Sequence, residues 1–182
     1  MAAPARTPAS AWVEAGLEAL GSGGPEAVRV DPLARALGVT RGSFYWHFAD
    51  RDALLTELLN AWERAATDDV LERVEGRGGD TRARLRRAGA LTFSDQLLPI
   101  DLAVRGWARH DPAVAERLHR VDNRRLDYLR TLFGTFCADA DEVEARSTLA
   151  FSLLIGSHFL AADHPGRSRA EALQLAADWL LA

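Results

Sequence analysis

The sequence predicts an all-α protein of about nine helices. Apolar residues recur at helical spacing, as in the run that holds Leu54, Leu55, Leu58 and Leu59. Between such runs stand the residues that begin and end helices, with Asp, Ser or Thr before a helix and Gly or Pro after it. No stretch shows the alternation of apolar and polar residues that a half-buried strand requires. At 182 residues, 48% of them hydrophobic, the chain is long enough to bury a substantial core.

The first two helices are delimited by capping residues and by glycine and proline. Thr7 followed by Pro8 predicts the start of the first helix, and the GSGGP segment at 21–25 predicts its end. Asp31 and Pro32 predict the start of the second. The Asp31 carboxylate would cap free N–H groups, and Pro32 would take the first helical position, where its missing N–H has no partner.

A tight turn is predicted after the second helix. Gly38 can take the positive φ that such a turn needs, and Val39 follows as an apolar plug. Thr40 is then the expected cap of a third helix. Asp50 is the expected cap of a long fourth helix, whose apolar face extends to Trp62.

The remaining helices follow a glycine-rich break at 75–79. Ser168 and Glu171 stand three residues apart, the spacing of a capping box, and predict the start of the last helix. The predicted helices after the break cover 81–96, a short segment from Pro99, a long one from Asp111-Pro112 to about Phe136, one from Asp139 or Asp141 to about Ala162, and 168–182.

The stretch 33–55 is crowded with groups that can touch a nucleic-acid backbone. Residues 41–43 are Arg, Gly and Ser, and small or hydrogen-bonding groups suit the first turn of a helix that enters the major groove. Phe44 and Phe48 share a face and can pin this helix to the core, which leaves residues 45–47 on its other sides. Periodicity alone also fits an ordinary helical hairpin with aromatic packing.

These residues resemble a known family. The run GVTRGSFYWHF at 38–48, followed by RDAL at 51–54, resembles the signature of TetR-type transcriptional repressors. The resemblance is contiguous and free of gaps. It extends back through Leu33-Ala34 to the first helix at 12–20 and covers about the first third of the chain.

Three positions depart from the family pattern. Arg51 stands where a lysine is more usual, which keeps the charge. Arg29 occupies a place often held by Ser or Thr, and Pro32 one that is often acidic. These departures bear on the details of backbone contact.

The resemblance implies a fold and a function. A three-helix helix-turn-helix head would cover 1–56, and a six-helix body for ligand binding and dimerisation would cover 57–182. The protein would be a DNA-binding transcriptional regulator, a repressor by this likeness, released from a palindromic operator on double-stranded DNA by a small hydrophobic effector. No enzymatic activity, metal or cofactor is expected.

The expected DNA contacts centre on the third helix. Arg41 and Ser43 are assigned to base edges or nearby phosphates, and Gly42 to close approach of the backbone. Contacts to phosphates or sugars are assigned to Thr40, Tyr45, Trp46 and His47, with Arg29 and Arg51 adding charge.

Composition restricts the possible partners. The net charge is −4, and five arginines balance five acidic residues within 1–51, so DNA affinity would depend on a local cluster of donors. All 22 basic residues are arginine.

The one cysteine, Cys137, excludes an internal disulfide and is expected to be a small buried hydrophobe. The MAAPARTPAS segment shows no export signal, and the longest apolar stretch, 149–162, is too short to span a membrane, so a cytoplasmic location is expected.

The last two helices are expected to form a homodimer. The stretch 149–162 is apolar nearly all round and must be covered on more than one side. A four-helix bundle made by two helices from each subunit would cover it, although both helices could instead close the core of their own body. The expected interface residues are Ser152, Leu153, Gly156, Phe159, Leu160, Leu173, Ala176, Ala177 and Leu180.

The effector site is the least determined part. A cavity lined by aromatic residues would favour a hydrophobic or aromatic compound. Each candidate also fits ordinary core or surface. The candidate walls are Trp62, Phe93, Leu97, Trp107, Tyr128 and Phe151, with Gln96, Asn123 and His158 as candidate polar contacts.

Other functions remain open on sequence alone. His158, Asp163 and His164 lie close together, but their spacing does not place two metal ligands on one helical turn, and no nucleophile motif accompanies them. The chain could also be a small-molecule-binding helical protein without DNA recognition, or an activator, because the sign of regulation depends on where the operator lies.

Overall fold

The structure, a computed structural model, describes residues 7–182, and all the regular secondary structure in that range is helical. Residues 1–6, the start of the segment in which no export signal is expected, lie outside it. The all-α fold class is confirmed. A 3-10 turn at Pro25–Ala27 accompanies ten α-helices in the described part: α1 (Ala9–Gly23), α2 (Val30–Ala36), α3 (Arg41–Phe44), α4 (Arg51–Ala66), α5 (Asp68–Gly76), α6 (Thr81–Thr92), α7 (Leu98–Ala108), α8 (Pro112–Phe133), α9 (Ala140–Ser157) and α10 (Arg169–Leu180).

The predicted fourth helix is divided into α4 and α5. At Thr67 the backbone leaves helical geometry, with φ −126° and ψ −80°. The Thr67 hydroxyl donates to the Glu63 carbonyl over 2.7 Å, which satisfies an acceptor in the last turn of α4. Counted as one interrupted helix, α4 and α5 bring the number to the nine expected from sequence.

Several predicted helix starts are confirmed by their hydrogen bonds. The Asp50 carboxylate accepts from the Ala53 N–H over 2.8 Å, and the Asp111 carboxylate accepts from the Ala113 N–H over 3.0 Å. At α10, both halves of the Ser168–Glu171 capping box are formed. These caps are short-range contacts and depend little on the rest of the fold.

Two predicted caps are wrong. The N-cap of α2 is Arg29 and not Asp31, because the Arg29 carbonyl accepts the first helical bond from the Leu33 N–H over 3.2 Å. Pro32 therefore lies in the first turn, where a missing N–H still costs no helical bond. In α1 the N-cap is Pro8, without a side-chain bond from Thr7.

Helix α9 ends earlier than the predicted Ala162. The Gly156 carbonyl accepts from the N–H groups of Phe159 and Leu160, and the chain turns there. The Ser157 hydroxyl donates to the Leu154 carbonyl over 2.7 Å. The Arg169 guanidinium donates to the Ser157 carbonyl over 2.8 Å, so the end of α9 is capped by α10.

The described residues form two compact units, the first made of 7–70 and 94–121. Its core is aromatic and aliphatic, and Trp12, Phe44 and Trp62 are almost fully buried in it. Helix α1 lies very close to α4: a Cβ at Gly16 would come within 2.8 Å of the Leu58 side chain. This close packing fixes α4 against α1, the helix whose Trp12 contacts Phe44 of α3.

The second unit consists of 71–93 and 122–182. Its buried core comprises Leu85, Leu129, Leu132, Phe133, Cys137 and Leu181. Cys137 is buried, and this burial raises the pKa of its thiol, which agrees with its expected role as a small hydrophobe.

Residues 7–182 contain neither a candidate membrane span nor a candidate metal site. None of the helices there is both long and apolar enough to cross a bilayer. The same residues contain no group of three His, Cys, Asp or Glu side chains arranged to hold a metal ion.

Candidate nucleic-acid interface

The turn between α2 and α3 is closed by backbone hydrogen bonds. Gly38 has φ +67°, the left-handed region that favours glycine. Its N–H donates to the Arg35 carbonyl over 3.2 Å, and the Val39 N–H donates to the Ala34 carbonyl over 2.9 Å. This pair of bonds is a Schellman motif, which satisfies the last carbonyls of α2 and redirects the chain into α3.

Helix α3 is short and is anchored by aromatic packing. Phe44 is fully buried, and its ring meets Trp12 edge-on at a centroid distance of 5.3 Å. Phe48 is also buried and stacks on Phe44 at 5.3 Å. The predicted packing of Phe44 with Phe48 is therefore confirmed, but the predicted helix is shorter, because α3 ends at Phe44 and Phe48 lies after it. The two buried rings fix which side of α3 points outward.

The other predicted contact residues divide by exposure. Tyr45 and Trp46 are 49% and 65% exposed, which is unusual for large aromatic side chains in a folded domain. Ser43, His47 and Arg51 are half-buried. The remaining four are exposed: Arg29, Thr40, Arg41 and Gly42.

The Arg41 guanidinium is held at the surface by two neighbours. Its NH2 donates to the Tyr45 hydroxyl over 3.1 Å, and its Nε lies 3.7 Å from the Asp31 carboxylate. The Tyr45 hydrogen bond and the nearby Asp31 charge raise the pKa of Arg41. Asp31, a predicted helix cap, is thus a partner of the principal candidate for base contact.

His47 and Arg51 are engaged with the backbone of their own unit. The His47 ring bonds the Thr7 carbonyl through Nε2 over 2.8 Å. Arg51 donates from Nε to the Val28 carbonyl over 2.7 Å and from NH2 to the Pro25 carbonyl. Arg51 therefore ties the start of α4 to the 3-10 turn before α2.

Helix α4 is held to α7 by a buried polar network. The Trp62 indole N–H donates to the Asp101 carboxylate over 3.2 Å, and Arg105 donates to the other carboxylate oxygen over 2.9 Å. Asp101 is 1% exposed. A buried carboxylate needs such partners, because an uncompensated charge there would be strongly destabilising.

A second polar contact holds α4 to α8. Arg117 donates to the Asn60 side-chain oxygen over 2.8 Å and to the Glu63 carboxylate over 3.2 Å. Arg120 approaches Glu63 at 3.5 Å. Helix α4, whose first residue is Arg51, is thus bound to both α7 and α8 within the first unit.

A family model matches the segment that contains the candidate interface. Residues 13–58 match the family model described as bacterial regulatory proteins, tetR family. These residues belong to the TetR family. A search of curated proteins finds no match to the chain.

Solved structures extend the likeness in fold beyond the matched residues 13–58, which are called the TetR domain here. PfmR, a TetR-family transcriptional regulator from Thermus thermophilus, is 20% identical, with 96% of each chain covered and a TM-score of 0.66. A candidate transcriptional regulator from Saccharomonospora viridis, in complex with choline, is 21% identical, with 94% of each chain covered and a TM-score of 0.73. A transcriptional regulator from Rhodococcus sp. Rha1 is 19% identical, with 96% of each chain covered and a TM-score of 0.68. The described chain has the helical fold of these regulators.

The predicted effector residues outside the TetR domain are distributed over both units. In the first unit, Leu97 is buried, Trp107 is half-buried and Gln96 is exposed. Trp62, which lies after the matched segment, is the buried donor to Asp101. In this unit the predicted residues contribute mainly to packing and to the surface.

The other five predicted effector residues lie in the second unit. Phe93 and His158 stack with ring centroids 5.9 Å apart. Tyr128 donates to the Glu75 carboxylate over 2.6 Å, and burial together with this bond raises the pKa of Tyr128. Phe151 packs against the core, and Asn123 is exposed.

The predicted dimer residues show two environments in α9, α10 and the turn after α9. Phe159 and Leu160 are 68% and 52% exposed, whereas Leu180 is buried within its own unit. On α10 the large exposed side chains are Leu175 and Trp179, at 50% and 73%. Of the remaining predicted residues Ser152 is exposed, and Leu153, Gly156, Leu173, Ala176 and Ala177 are half-buried.

Proposed function

We propose that this chain is a homodimeric transcriptional regulator that binds a palindromic operator through α3 and leaves it when a small hydrophobic effector binds the body. The main support is the outward surface at residues 41–46. It presents the Arg41 guanidinium and Gly42 on α3, which Phe44 pins from behind, and two large aromatic side chains, Tyr45 and Trp46, directly after α3. An exposed guanidinium beside exposed aromatic rings suits contact with base edges and with the sugar-phosphate backbone.

In this proposal Arg41 reads a base and the aromatic residues position the domain. A guanidinium can pair with the O6 and N7 of guanine, a contact that discriminates by about 1–3 kcal/mol. Tyr45 and Trp46 would lie on the sugar-phosphate backbone, with Thr40 and Arg29 beside them. Arg41 would exchange its present neighbours, Asp31 and Tyr45, for the base edge.

Dimerisation would set the spacing of two such helices. Operators read by helix-turn-helix dimers have half-sites one helical turn apart, about 34–36 Å. The exposed apolar side chains of the second unit, which include Phe159, Leu160 and Trp179, support an interface there. The outward residues Leu175 and Trp179 are added to the interface expected from sequence, whereas the burial of Leu180 favours an inward role.

An effector would act by a population shift. It must bind more tightly to a state that does not fit the operator, since a ligand with equal affinity for both states shifts nothing. The choline complex of the Saccharomonospora viridis protein supports small-molecule binding by this fold. Repression, rather than activation, rests on the family resemblance.

The test is a mobility shift with the DNA that flanks the chain's own coding sequence. Arg41→Ala should reduce the preference for operator over unrelated DNA about tenfold to a hundredfold. Trp46→Ala should weaken binding to all sequences alike. Arg64→Ala is the matched control, because it removes one exposed arginine from the far end of α4 and should bind normally.

Two results would contradict the proposal. If wild type shows no preference for any flanking DNA, the chain is better described as a small-molecule-binding protein without DNA recognition. If Arg41→Ala and Trp46→Ala both bind as wild type does, α3 is not the contacting element. A reporter fused to the operator distinguishes repression from activation by the direction of the change.

A further inference from the structure

A partly open cavity lies in the second unit, between α6, α8, α9 and α10. Its volume is about 220 Å³. The walls are almost wholly apolar and include Leu85, Phe133, Leu154 and Leu181. None of the nine residues predicted to contact an effector lines it. The position of the cavity could not be inferred from sequence, because its walls come from four helices far apart in the chain.

The size of the cavity limits its ligand. An engineered apolar cavity of about 150 Å³ binds benzene, so the same packing would place roughly nine non-hydrogen atoms here. Phe133 is the one aromatic residue among the lining side chains. A quaternary ammonium ion such as choline is usually held by a cage of several aromatic rings. The lining therefore favours an apolar molecule over a cation.

Polar groups lie at one side of the cavity. Arg86 and Gln174 belong to its lining, and Asp178 is close to both. The Gln174 amide nitrogen donates to the Asp178 carboxylate over 2.8 Å, and Arg86 lies 3.8 Å from the same carboxylate. One cation beside one anion leaves no net charge to attract an ion. The amide oxygen of Gln174 is a group that can accept a hydrogen bond from a neutral ligand.

We propose that this cavity binds a neutral, mainly apolar molecule of about nine non-hydrogen atoms with a single hydrogen-bonding group. Helix α10 supplies one wall through Ala177 and Leu180, while its outward residues Leu175 and Trp179 are exposed. A bound molecule therefore stabilises the packing of α10, the helix whose other face carries the proposed dimer contact. Its role as the effector site rests on the proposed function; the binding itself does not.

Three probes of equal size test the proposal by thermal unfolding of the full chain. Indole is neutral, benzoate is an anion and 2-phenylethylammonium is a cation, each with about nine non-hydrogen atoms. Indole should raise Tm by about 2–4 °C at roughly five times its Kd. The two ions should raise it much less. No effect of indole up to millimolar concentration, or equal effects of all three probes, would overturn the proposal.

A variant whose larger side chain fills the cavity tests whether the ligand binds there. A Cβ at Gly89 would come within 3.4 Å of the Leu154 side chain, and both residues line the cavity, so Gly89→Leu places its side chain there. The indole shift should be lost in Gly89→Leu. The matched control is Gly106→Leu, where nothing lies within 4 Å of an added Cβ, and the shift should persist.

Ala90→Leu, at a second lining position, repeats the test if Gly89→Leu does not fold. Retention of the indole shift in a folded cavity-filling variant would place the ligand elsewhere and overturn the proposal. A mobility shift on the same samples separates the two proposals. Operator binding without any indole shift rejects the cavity site alone, and an indole shift without operator binding rejects the proposed function alone.

Discussion

At the residue scale, two arginines of the TetR domain have different partners. Arg41 is exposed and lies beside Asp31 and the Tyr45 hydroxyl, groups that can move when DNA approaches. Arg51 is half-buried and donates to the Val28 and Pro25 carbonyls. By charge alone, both arginines are candidates for contact with DNA phosphates. We infer that Arg51 is a positioning residue, which acts by fixing the start of α4.

Arg51→Ala should lower the free energy of unfolding by about 1–3 kcal/mol, because two hydrogen bonds to a charged donor are lost. Urea titration followed by circular dichroism measures this change. The salt dependence of DNA affinity gives the second measurement. Its logarithmic slope should stay as in wild type, whereas loss of a phosphate contact would reduce it by about 0.9. A reduced slope with unchanged stability would return Arg51 to the phosphate-contacting group.

At the element scale, the start of α10 depends on one carboxylate. The Ser168 N–H donates to the Glu171 carboxylate over 2.7 Å, and the Ser168 hydroxyl accepts from the Glu171 N–H over 3.2 Å. The bond from the Ser168 backbone is the main cause that lowers the pKa of Glu171. A lowered pKa in the folded state stabilises that state above the unfolded pKa of about 4.3, and the gain is lost as pH falls through the folded value.

Glu171→Gln should therefore reduce stability at pH 7 and have little effect at low pH. The stability difference between wild type and variant should shrink as pH falls from about 5 toward 3, since the carboxylate of wild type becomes protonated there. Urea titrations at several pH values measure it. Glu72→Gln, at an exposed position of α5, is the control for loss of a charge. A difference that stays constant with pH would exclude the capping carboxylate as its cause.

The attachment of α4 to α8 is also an element-scale feature. Arg117 contacts Asn60 and Glu63, and the Arg117 and Glu63 side chains are 23% and 26% exposed, so solvent screens the pair only in part. We expect a double-mutant cycle with Glu63→Gln and Arg117→Met to give a coupling energy of about 0.5–1 kcal/mol. Chemical unfolding of the four proteins measures it. A coupling energy within error of zero would mean that the pair does not hold the two helices together.

At the scale of the whole molecule, we expect exposed apolar side chains of the second unit to mediate self-association. Trp179→Glu should raise the dimer dissociation constant at least about tenfold, because a charge would be buried in the apolar interface. Sedimentation velocity at micromolar concentration measures the change. Trp46→Ala is the control, because it alters another exposed tryptophan, which lies in the TetR domain. A monomeric wild type, or a Trp179→Glu variant that dimerises normally, would contradict the proposed interface.

The sequence predicted those features that depend on neighbouring residues. The caps at Asp50, Asp111 and Ser168 follow from contacts within three residues, and the Phe44–Phe48 face follows from helical spacing. The TetR assignment of 13–58 rests on a contiguous run of the same kind.

Features that depend on distant residues were not predictable. The pairing of Asp31 with Arg41 requires the turn between α2 and α3 to fold first. Trp62 could not be distinguished from a cavity wall until Asp101, on another helix, was seen to accept its N–H. The helix break at Thr67 likewise had no glycine or proline to announce it. In each case, contacts between distant residues decided between local structures that fit the sequence equally well.

The positive φ of Gly38 allows the orientation of α3 to be set independently of the side chains that are proposed to contact DNA. The angle at which α3 emerges is fixed by main-chain bonds and by a buried phenylalanine, neither of which is presented to a base pair. In the proposed DNA contact, residue 41 could be exchanged without altering that angle, so new operator preferences should be accessible by substitution at this position. The same architecture makes replacement of Gly38 costly in every such variant, whatever sequence it reads.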